Sequence, residues 1–348
     1  MTDLVDAPAD PVLAVALRGG VVERRHRGAY AVCAAGGEIV DSAGDVERRI
    51  LPRSAIKLFQ TLPLVESGAA DACRLDARRL ALACASHEGS AAHSGQVAQW
   101  LAEIGLGERD LMCGAHPPKE KAARDALRAA GEKPSQLHNN CSGKHAGFLT
   151  LARRLGAPTA GYVAVDHPVQ KAAQEAFSQA ADEETPMGWA VDGCSAPNFA
   201  VRLRGLALAA ARVADPQAGF GCGLRAASAA RLRDAMIAHP FEVAGAGRAC
   251  TELMEAAAGR AAIKTGAEGS FIAILPAGDG RPALGVALKI DDGATEAAEC
   301  AMAALLVRFG AVDPADPRVR RRLAPAYRNL RGVDVGGLRA AGPLDTKS

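Results

Sequence analysis

The apolar residues of this chain repeat with two different spacings, and the order of those spacings restricts its fold more than any other sequence feature. Four β-compatible runs, VLAVALRG, VVERRHR, AYAVCAA and EIVDS, lie near the N-terminus with glycine pairs at 19–20 and 36–37, which is typical of antiparallel strands. Two further apolar runs flank the Gly-Asp-Gly at 278–280 and predict a hairpin. The alanine-rich segment between has helical spacing. Strands are therefore expected at both ends and helices between them.

A single mixed sheet explains this order most simply, because the two ends can supply neighbouring strands while helices cover the faces. We predict one domain of the α+β class, with an antiparallel sheet from about residues 10–55 and 259–310 and a helical region from about residues 56–258. A further helix is predicted after the last strand. The tail after Asp313 contains proline, glycine and an RVRRR run, so we expect it to be loosely structured with solvated arginines.

The composition excludes several kinds of partner. The net charge is +2 and only 13 of the 348 residues are aromatic, so no nucleic-acid partner is expected. No window approaches the roughly 18 apolar residues of a membrane-spanning helix. The nine cysteines are scattered without a CxxC pair, which favours a reducing compartment, and the acidic N-terminus does not resemble a signal peptide. We expect a cytoplasmic protein with a small-molecule substrate.

A serine and a lysine stand three residues apart in RSAIKLFQ, residues 53–60. Pro52 suits the first turn of a helix, which would place Ser54 near the helix N-terminus and Lys57 one turn later on the same side. A hydroxyl beside an amine at a helix N-terminus can act as a nucleophile, and lysine, unlike arginine, can give up its proton there. The alternative is a capping serine followed by an unrelated surface lysine.

Two other segments add to this pattern of serines and lysines. Lys264-Thr265-Gly266 leads into the C-terminal strands, so SxxK and KTG occur together, as they do in penicillin-recognising enzymes and class A β-lactamases. The SDN element of those enzymes is absent from the sequence. Ser86, in ALACASHEGSAAH, follows a helical run, and its hydroxyl could relay a proton between the nucleophile and a lysine. A turn serine is the alternative for Ser86.

Cysteine, lysine and histidine are concentrated in two stretches of the helical block. HNNCSGKHAGFL, residues 138–149, stands before an apolar helix, and GWAVDGCSAPNF, residues 188–199, forms a glycine-flanked turn. Two cysteines with a neighbouring lysine or histidine could hold zinc, but the spacing matches no standard zinc finger or ribbon. Loops with buried cysteines are the other interpretation of both stretches.

Five motifs in fixed order resemble those of the rhizobial-type, thermolabile L-asparaginase II family. They are LPRSAIKLFQTLPLVESG, ASHEGS, NNCSGKHAGFL, VDGCSAPNF and IKTGAEG. The resemblance spans nearly the whole chain. It implies a serine β-lactamase-like fold, hydrolysis of L-asparagine to L-aspartate and ammonia, and a homodimer.

The resemblance also implies roles for individual residues. Ser54 would be the nucleophile with Lys57 as its base, and Ser86 with Lys264 would form a second serine and lysine pair facing the first. The residues implied to line the substrate pocket are Arg53, His145 and Asp192. The ligands implied for a zinc ion near the active site are Cys141, Lys144 and Cys194. We expect that zinc to be positional or structural rather than hydrolytic.

These roles agree with what amide hydrolysis requires. A neutral Lys57 would take the proton of Ser54, whose backbone N–H helps to hold the oxyanion, and Ser86 would pass a proton to the departing ammonia. A serine-dependent glutaminase remains an alternative, because one substrate methylene is worth only about 1 to 3 kcal/mol.

A penicillin-recognising hydrolase and a non-enzymatic amino-acid-binding protein are further alternatives. Penicillin-recognising enzymes meet their substrates outside the cytoplasm, and this sequence lacks their SDN element. Three of the nine lysines, at 57, 144 and 264, fall within the motifs. Because arginine would serve equally well for charge alone, their positions favour proton transfer over simple binding.

Overall fold

The structure is a computed structural model that describes residues 9–185 and 187–345. Its strands are β1 (Val12–Arg18), β2 (Val21–Cys33), β3 (Ile39–Ala43), β4 (Arg49–Ile50), β5 (Trp189–Val191), β6 (Pro197–Phe199), β7 (Val201–Arg202), β8 (Ala262–Thr265), β9 (Ser270–Leu275), β10 (Leu284–Ile290), β11 (Ala326–Arg328) and β12 (Asp334–Ala340). Its α-helices are α1 (Lys57–Glu66), α2 (Ala69–Ala72), α3 (Ala77–Ala83), α4 (Ala91–Glu103), α5 (Lys121–Ala130), α6 (Ser142–Arg154), α7 (Pro168–Ala181), α8 (Leu203–Ala214), α9 (Pro216–Phe220), α10 (Leu224–Ala238), α11 (Pro240–Ala244), α12 (Ala249–Ala257), α13 (Thr295–Arg308) and α14 (Pro317–Leu323).

One eight-stranded antiparallel sheet joins the two ends of the chain. Its order is β11-β12-β1-β2-β10-β9-β8, with β3 also paired to β2. N-terminal and C-terminal strands pair at two places, β12–β1 and β2–β10, and in the second Gly28 lies opposite Ile290 and Cys33 opposite Gly285. The predicted hairpins β1–β2 and β9–β10 are both present. The expected α+β class, with strands from both termini in one sheet, is therefore confirmed.

Two helices cover the middle of the sheet. Every residue of β9 is buried, and β10 is buried at all but one position, so neither face of these strands is open to water. Helix α8 packs against β2, β9 and β10, and α13 packs against β1, β9, β10 and β12. The remaining helices form the lobe that carries most of the polar motifs. Within the part of the chain that the structure describes, no helix is long and apolar enough to cross a membrane.

The prediction of two strands for VVERRHR and AYAVCAA is wrong, because both belong to the single strand β2. Gly28, between the two runs, is not a turn residue. A Cβ on Gly28 would lie 2.3 Å from the carbonyl oxygen of Lys289, so this glycine allows β10 to approach β2 closely.

The prediction of a loose tail after Asp313 is also wrong, and the sheet extends well beyond residue 310. Strand β12 pairs along β1, with Ala14 opposite Ala340. Gly336 has a φ of 140° and a Cβ there would lie 2.0 Å from the oxygen of Leu17, so only glycine fits this register. The glycines that make this pairing possible also interrupt the alternation of apolar side chains from which a strand is predicted.

The arginine run in the tail is only in part the expected solvated face, because Arg320 and Arg321 are exposed whereas Arg322 is largely covered. Arg322, on α14, pairs with Glu252 on α12 at 2.7 Å and with Glu299 on α13 at 2.8 Å. Arg321 pairs with the same Glu252 at 3.0 Å. Because the Glu252 carboxylate is buried, these pairs fasten the tail to the helix that leads into β8. Sequence spacing could not show this, since the partners are distant in the chain.

The contact between Gly285 and α8 predicts a severe packing defect. A Cβ at this position would lie 2.0 Å from the amide nitrogen of Ala211 and 2.2 Å from the oxygen of Ala207, both in helix backbone that cannot yield. We expect Gly285→Ala to lower the free energy of unfolding by about 3 kcal/mol in urea denaturation. Gly278→Ala is the control, because a Cβ there meets nothing within 4 Å, and its expected change is within about 0.5 kcal/mol.

Candidate active site

The segment that carries Ser54 and Lys57 forms the start of α1. Residues Arg53–Ile56 form one 3-10 turn after Pro52, and the Lys57 N–H donates to the Ser54 carbonyl oxygen. Ser54 is partly exposed, whereas the side chain of Lys57 is fully buried. The predicted placement of Pro52 and Ser54 at a helix start is confirmed, with a 3-10 turn in place of the first α-helical turn. The Ser54 N–H lies in a first turn, where an amide has no intrahelical acceptor.

Both lysines of the predicted pairs converge on Ser86. The Ser86 hydroxyl oxygen lies 3.0 Å from the Lys57 Nζ and 2.7 Å from the Lys264 Nζ. Lys57 also donates to the carbonyl oxygens of Ala85 and Asn140, and Lys264 donates to that of Thr265 at 2.7 Å. Within the described residues, no hydrogen bond joins either amine to the Ser54 hydroxyl. The lysine pair is therefore centred on Ser86, beside the turn that carries Ser54.

Burial dominates the electrostatics of this centre. Lys57 is 0% exposed and Lys264 is 1% exposed. Burial, and then the charge of Lys57, lower the pKa of Lys264 to about 7. The other groups that act on this pKa are Cys250, Cys141 and Arg248, and none of them is a carboxylate. Near neutral pH the Lys264 amine is therefore close to half deprotonated, and the neutral fraction can accept a proton.

The glycine of KTG brings β8 against the turn that carries Ser54. A Cβ on Gly266 would lie 2.3 Å from the oxygen of Pro52 and 3.3 Å from the amide nitrogen of Ala55. The Gly266 N–H donates to Ser270 at 2.7 Å, which turns the chain directly after β8. On the other side, the Thr265 N–H donates to the sulfur of Cys250 on α12 at 3.2 Å. Both contacts hold Lys264 at the place where it meets Ser86.

Arg53 and Asp192 form an ion pair with each other. The Arg53 Nε lies 2.7 Å from an Asp192 carboxylate oxygen, and both side chains are only partly exposed. Arg53 has a φ of 54°, a left-handed conformation that costs a residue with a Cβ roughly 1 to 2 kcal/mol. Its N–H donates to the side-chain oxygen of Asn198 at 3.2 Å. The sequence analysis did not single out Asn198, because nothing local marks a side chain that bonds so distant a backbone.

The two cysteine-bearing stretches, residues 138–149 and 188–199, are in contact with each other. Cys141 precedes α6, Cys194 lies in the turn between β5 and β6, and the Lys144 Nζ donates to the Cys194 sulfur at 3.3 Å. Lys144 and His145 lie in the first turn of α6, so the loop interpretation fails for them. The His145 ring is fully buried, its Nδ1 lies 2.7 Å from the Tyr162 hydroxyl, and its Nε2 has no hydrogen-bond partner among the described residues.

The charges of this cysteine cluster are strongly coupled. A hydrogen bond with Cys141, together with the charge of Lys144, lowers the pKa of Cys194 far below its usual range. The same hydrogen bond, with burial, raises the pKa of Cys141. Burial lowers the pKa of Lys144, but the charges of Cys194 and Cys141 raise it by more, so the pKa is raised overall. These shifts favour the charged forms of Cys194 and Lys144 and the neutral thiol of Cys141. Across the described ranges, 9–185 and 187–345, no group of three or more histidine, cysteine, aspartate or glutamate side chains could hold a metal ion.

Comparison with known proteins gives one match over nearly the whole chain. A family model described as L-asparaginase II matches residues 14–340. No curated protein matches the sequence.

Solved structures match only distantly. A crystal structure of Mglu in its native form in the presence of 4.3 M NaCl has a TM-score of 0.47 at 14% identity, with 82% of this chain and 61% of that chain covered. Mglu in its glutamate form has a TM-score of 0.47 at 14% identity, covering 87% and 66%. A beta-lactamase from Mycobacterium bovis has a TM-score of 0.39 at 14% identity, covering 81% and 94%. The chain spans less than two thirds of the length of these two Mglu structures.

The contact at Gly266 predicts a local effect on the turn that carries Ser54. Gly266→Ala should push Pro52 away from β8, because the new Cβ would meet the Pro52 oxygen at 2.3 Å. We expect faster hydrogen exchange of the 53–57 amides and a loss of about 2 kcal/mol of unfolding free energy. Gly95→Ala on α4 is the control, because a Cβ there meets nothing within 4 Å. Unchanged exchange at residues 53–57 in Gly266→Ala would show that this contact does not position the turn.

Proposed function

Because this chain belongs to the L-asparaginase II family and is therefore an amidohydrolase of the asparaginase or glutaminase type, we propose that its substrate is L-asparagine. The products are L-aspartate and ammonia. The observation that carries the proposal is the pair of buried lysine amines on the Ser86 hydroxyl, with Ser54 at the adjoining helix start. A site with two amines and no bonded carboxylate among the described residues is suited to moving protons, because at least one amine must be neutral.

We propose Ser54 as the nucleophile. The Lys57 ammonium first gives a proton to the Ser86 hydroxyl, which gives its own to a neutral Lys264 amine. The Ser54 hydroxyl oxygen then attacks the side-chain amide carbon of asparagine, its proton passes to the neutral Lys57 amine, and the carbonyl oxygen becomes an oxyanion. The Ser54 N–H, free of an intrahelical acceptor, stabilises that oxyanion. No hydrogen bond joins the Ser54 hydroxyl to the Lys57 amine within the described structure, but such contacts often tighten only once substrate is bound.

Ser86 and Lys264 are proposed to complete the proton transfers. A neutral Lys264 amine can accept the Ser86 proton while Ser86 accepts a proton from Lys57, so the hydroxyl can pass protons between the two amines. As the tetrahedral intermediate collapses, the C–N bond breaks and the nitrogen takes a proton from this relay to leave as ammonia. Water then attacks the β-aspartyl ester, releases aspartate and restores the Ser54 hydroxyl.

Arg53, His145 and Asp192 are proposed to orient the amino acid end of the substrate. Arg53 uses its Nε for Asp192, which leaves its Nη atoms for the substrate α-carboxylate, while Asp192 offers an oxygen to the α-ammonium. His145 is fully buried and bonded to Tyr162, so we assign it to supporting the pocket wall.

A zinc ion held by Cys141, Lys144 and Cys194 is also proposed, as the resemblance implies. Two thiols and an amine fit the sulfur and nitrogen ligands that zinc takes, and the partnerless Nε2 of His145 is a further buried nitrogen donor beside them. Zinc would hold the turn before α6 against the turn between β5 and β6, and the two thiolates would balance its charge. Binding would displace the protons that Lys144 and Cys141 carry without it. A homodimer and a cytoplasmic location remain predictions.

The substrate proposal is tested by ammonia release from asparagine and from glutamine under the same conditions. We expect a higher kcat/KM with asparagine. The ratio should be about 10-fold to 100-fold, because the two substrates differ by one methylene. A higher kcat/KM with glutamine would support the glutaminase alternative, and hydrolysis of neither substrate would contradict the proposed function.

Replacing the proposed nucleophile should abolish turnover. Ser54→Ala is expected to lower kcat for asparagine by at least about 10³-fold, because loss of a nucleophilic serine removes the covalent route. Ser94→Ala on α4 is the matched control, since that hydroxyl bonds only the carbonyl oxygens of Ser90 and Ala91. Near wild-type turnover by Ser54→Ala would remove Ser54 from the role of nucleophile.

The pH dependence should reflect Lys264. Below pH 7 its amine is protonated and cannot accept the Ser86 proton, and above pH 7 it is increasingly neutral. The kcat/KM for asparagine is therefore expected to rise with pH through a midpoint of about 7. A profile that is flat between about pH 6 and 8, or that falls as pH rises through 7, would contradict this assignment.

The zinc proposal has its own readout. We expect about one zinc per chain by elemental mass spectrometry of the wild type, and a loss of most of it in Cys194→Ser, because a hydroxyl is a far weaker zinc ligand than a thiolate. Ser54→Ala should keep the wild-type zinc content. Zinc content that is equal in Cys194→Ser and the wild type would refute the ligand set.

A further inference from the structure

The side chain of Asn198 contacts the backbone of Arg53, the residue directly before Ser54. This side chain is 2% exposed and lies on β6, distant in sequence from the turn that carries Ser54. We propose that Asn198 is a positioning residue, which holds Arg53 in its left-handed conformation and thereby fixes the orientation of Ser54. This inference rests on the proposed role of Ser54 as nucleophile.

The backbone of Arg53 is the strained point of this turn. Seven residues other than glycine have a positive φ in the described chain, and Arg53, at 54°, directly precedes Ser54. Strain of this kind persists only where the surroundings hold it, and it is common at active sites. A relaxation of φ at Arg53 would move the Arg53 carbonyl group and the residues that follow it, including the hydroxyl of Ser54.

The Asn198 side chain holds this conformation directly. Its Oδ1 accepts the Arg53 N–H at 3.2 Å, so the bond acts on the same peptide unit whose φ is strained. Other bonds join the same two elements but act elsewhere. Asp192 bonds the far end of the flexible Arg53 side chain, and the Gln60 amide donates to the Pro197 oxygen at 3.1 Å. Of these three contacts, only the Asn198 bond fixes the Arg53 backbone.

Asn198 is held rigidly for this role. Its backbone pairs with Ala190 in the β5–β6 hairpin, whose turn also contains Asp192 and Cys194. The hairpin therefore approaches the turn with Ser54 through a side chain that is fixed by its strand and buried at the interface. Core packing alone would not require a buried side-chain amide at this position, whereas a hydrogen bond to the strained backbone N–H does.

The test measures the reactivity of Ser54 itself. A fluorophosphonate probe, which phosphonylates activated serines with loss of fluoride, is applied to the folded enzyme, and mass spectrometry follows the rate of labelling at Ser54. Asn198→Leu keeps the approximate size of the side chain and removes the acceptor. We expect it to slow Ser54 labelling and kcat about tenfold, in the range of one lost hydrogen bond to a strained group.

Two variants of Arg53 distinguish a positioning role of Asn198 from a general loss of stability. Arg53→Ala loses the guanidinium but keeps the Cβ that makes a positive φ costly, whereas Arg53→Gly loses both. Asn198→Leu should slow labelling about tenfold in the Arg53→Ala background and less than about twofold in the Arg53→Gly background, because glycine adopts the left-handed conformation without support. Gln60→Leu, which removes the other tether between these elements, should leave the Ser54 labelling rate unchanged.

Three outcomes would overturn the inference. These are unchanged labelling in Asn198→Leu, equal slowing in both Arg53 backgrounds, and equal slowing by Gln60→Leu. Thermal denaturation confirms that each variant is folded, and Asn198→Ala replaces Asn198→Leu in the same comparisons if the leucine variant is not. If the probe labels wild-type Ser86 instead of Ser54, or neither serine, the proposed nucleophile fails first and the inference fails with it.

Discussion

Two lysine amines meet at one serine hydroxyl in the interior of this protein, without a bonded carboxylate among the described residues to balance their charge. Two ammonium groups so close in a buried site would repel each other and lose their hydration, so the site favours a state with at least one neutral amine. Main-chain carbonyl oxygens of Ala85, Asn140 and Thr265 accept hydrogen bonds from the two amines. A centre of this kind holds a base at neutral pH, which hydrolysis of an amide by a serine requires.

The architecture around the centre serves to bring distant segments to it. Lys57 arrives on α1, Ser86 follows α3, and Lys264 arrives at the end of β8, an edge strand of the shared sheet. Helix α12 fixes that strand end through Cys250, and the arginine pairs of the tail fasten α12 in turn. The β5–β6 hairpin approaches the turn with Ser54 from the other side. The close contacts at Gly266 and Gly285 show that the backbones themselves, not only side chains, set these distances.

The sequence predicted the parts of this protein whose signals are local. Hairpins marked by glycine turns, long amphipathic helices and the helix start at Pro52 were recognisable because neighbouring residues determine them. The division of β2 into two predicted strands is wrong because Gly28 interrupts its run of side chains, and the close approach of β10 that explains this glycine is not visible locally. The tail misled because glycines in β12 and charged residues in α14 meet partners far away in the chain. For the same reason, motifs predicted the lysines and serines of the centre, but not that both amines meet at Ser86, and not Asn198.

The central claim is that Ser54, and not the more strongly hydrogen-bonded Ser86, forms the covalent intermediate. The most direct measurement is a rapid acid quench of the enzyme during turnover of L-asparagine, followed by digestion and mass spectrometry of the serine-containing peptides. We predict an aspartyl ester on Ser54 and an unmodified Ser86. An ester on Ser86, or steady turnover with no ester on either serine, would contradict this account.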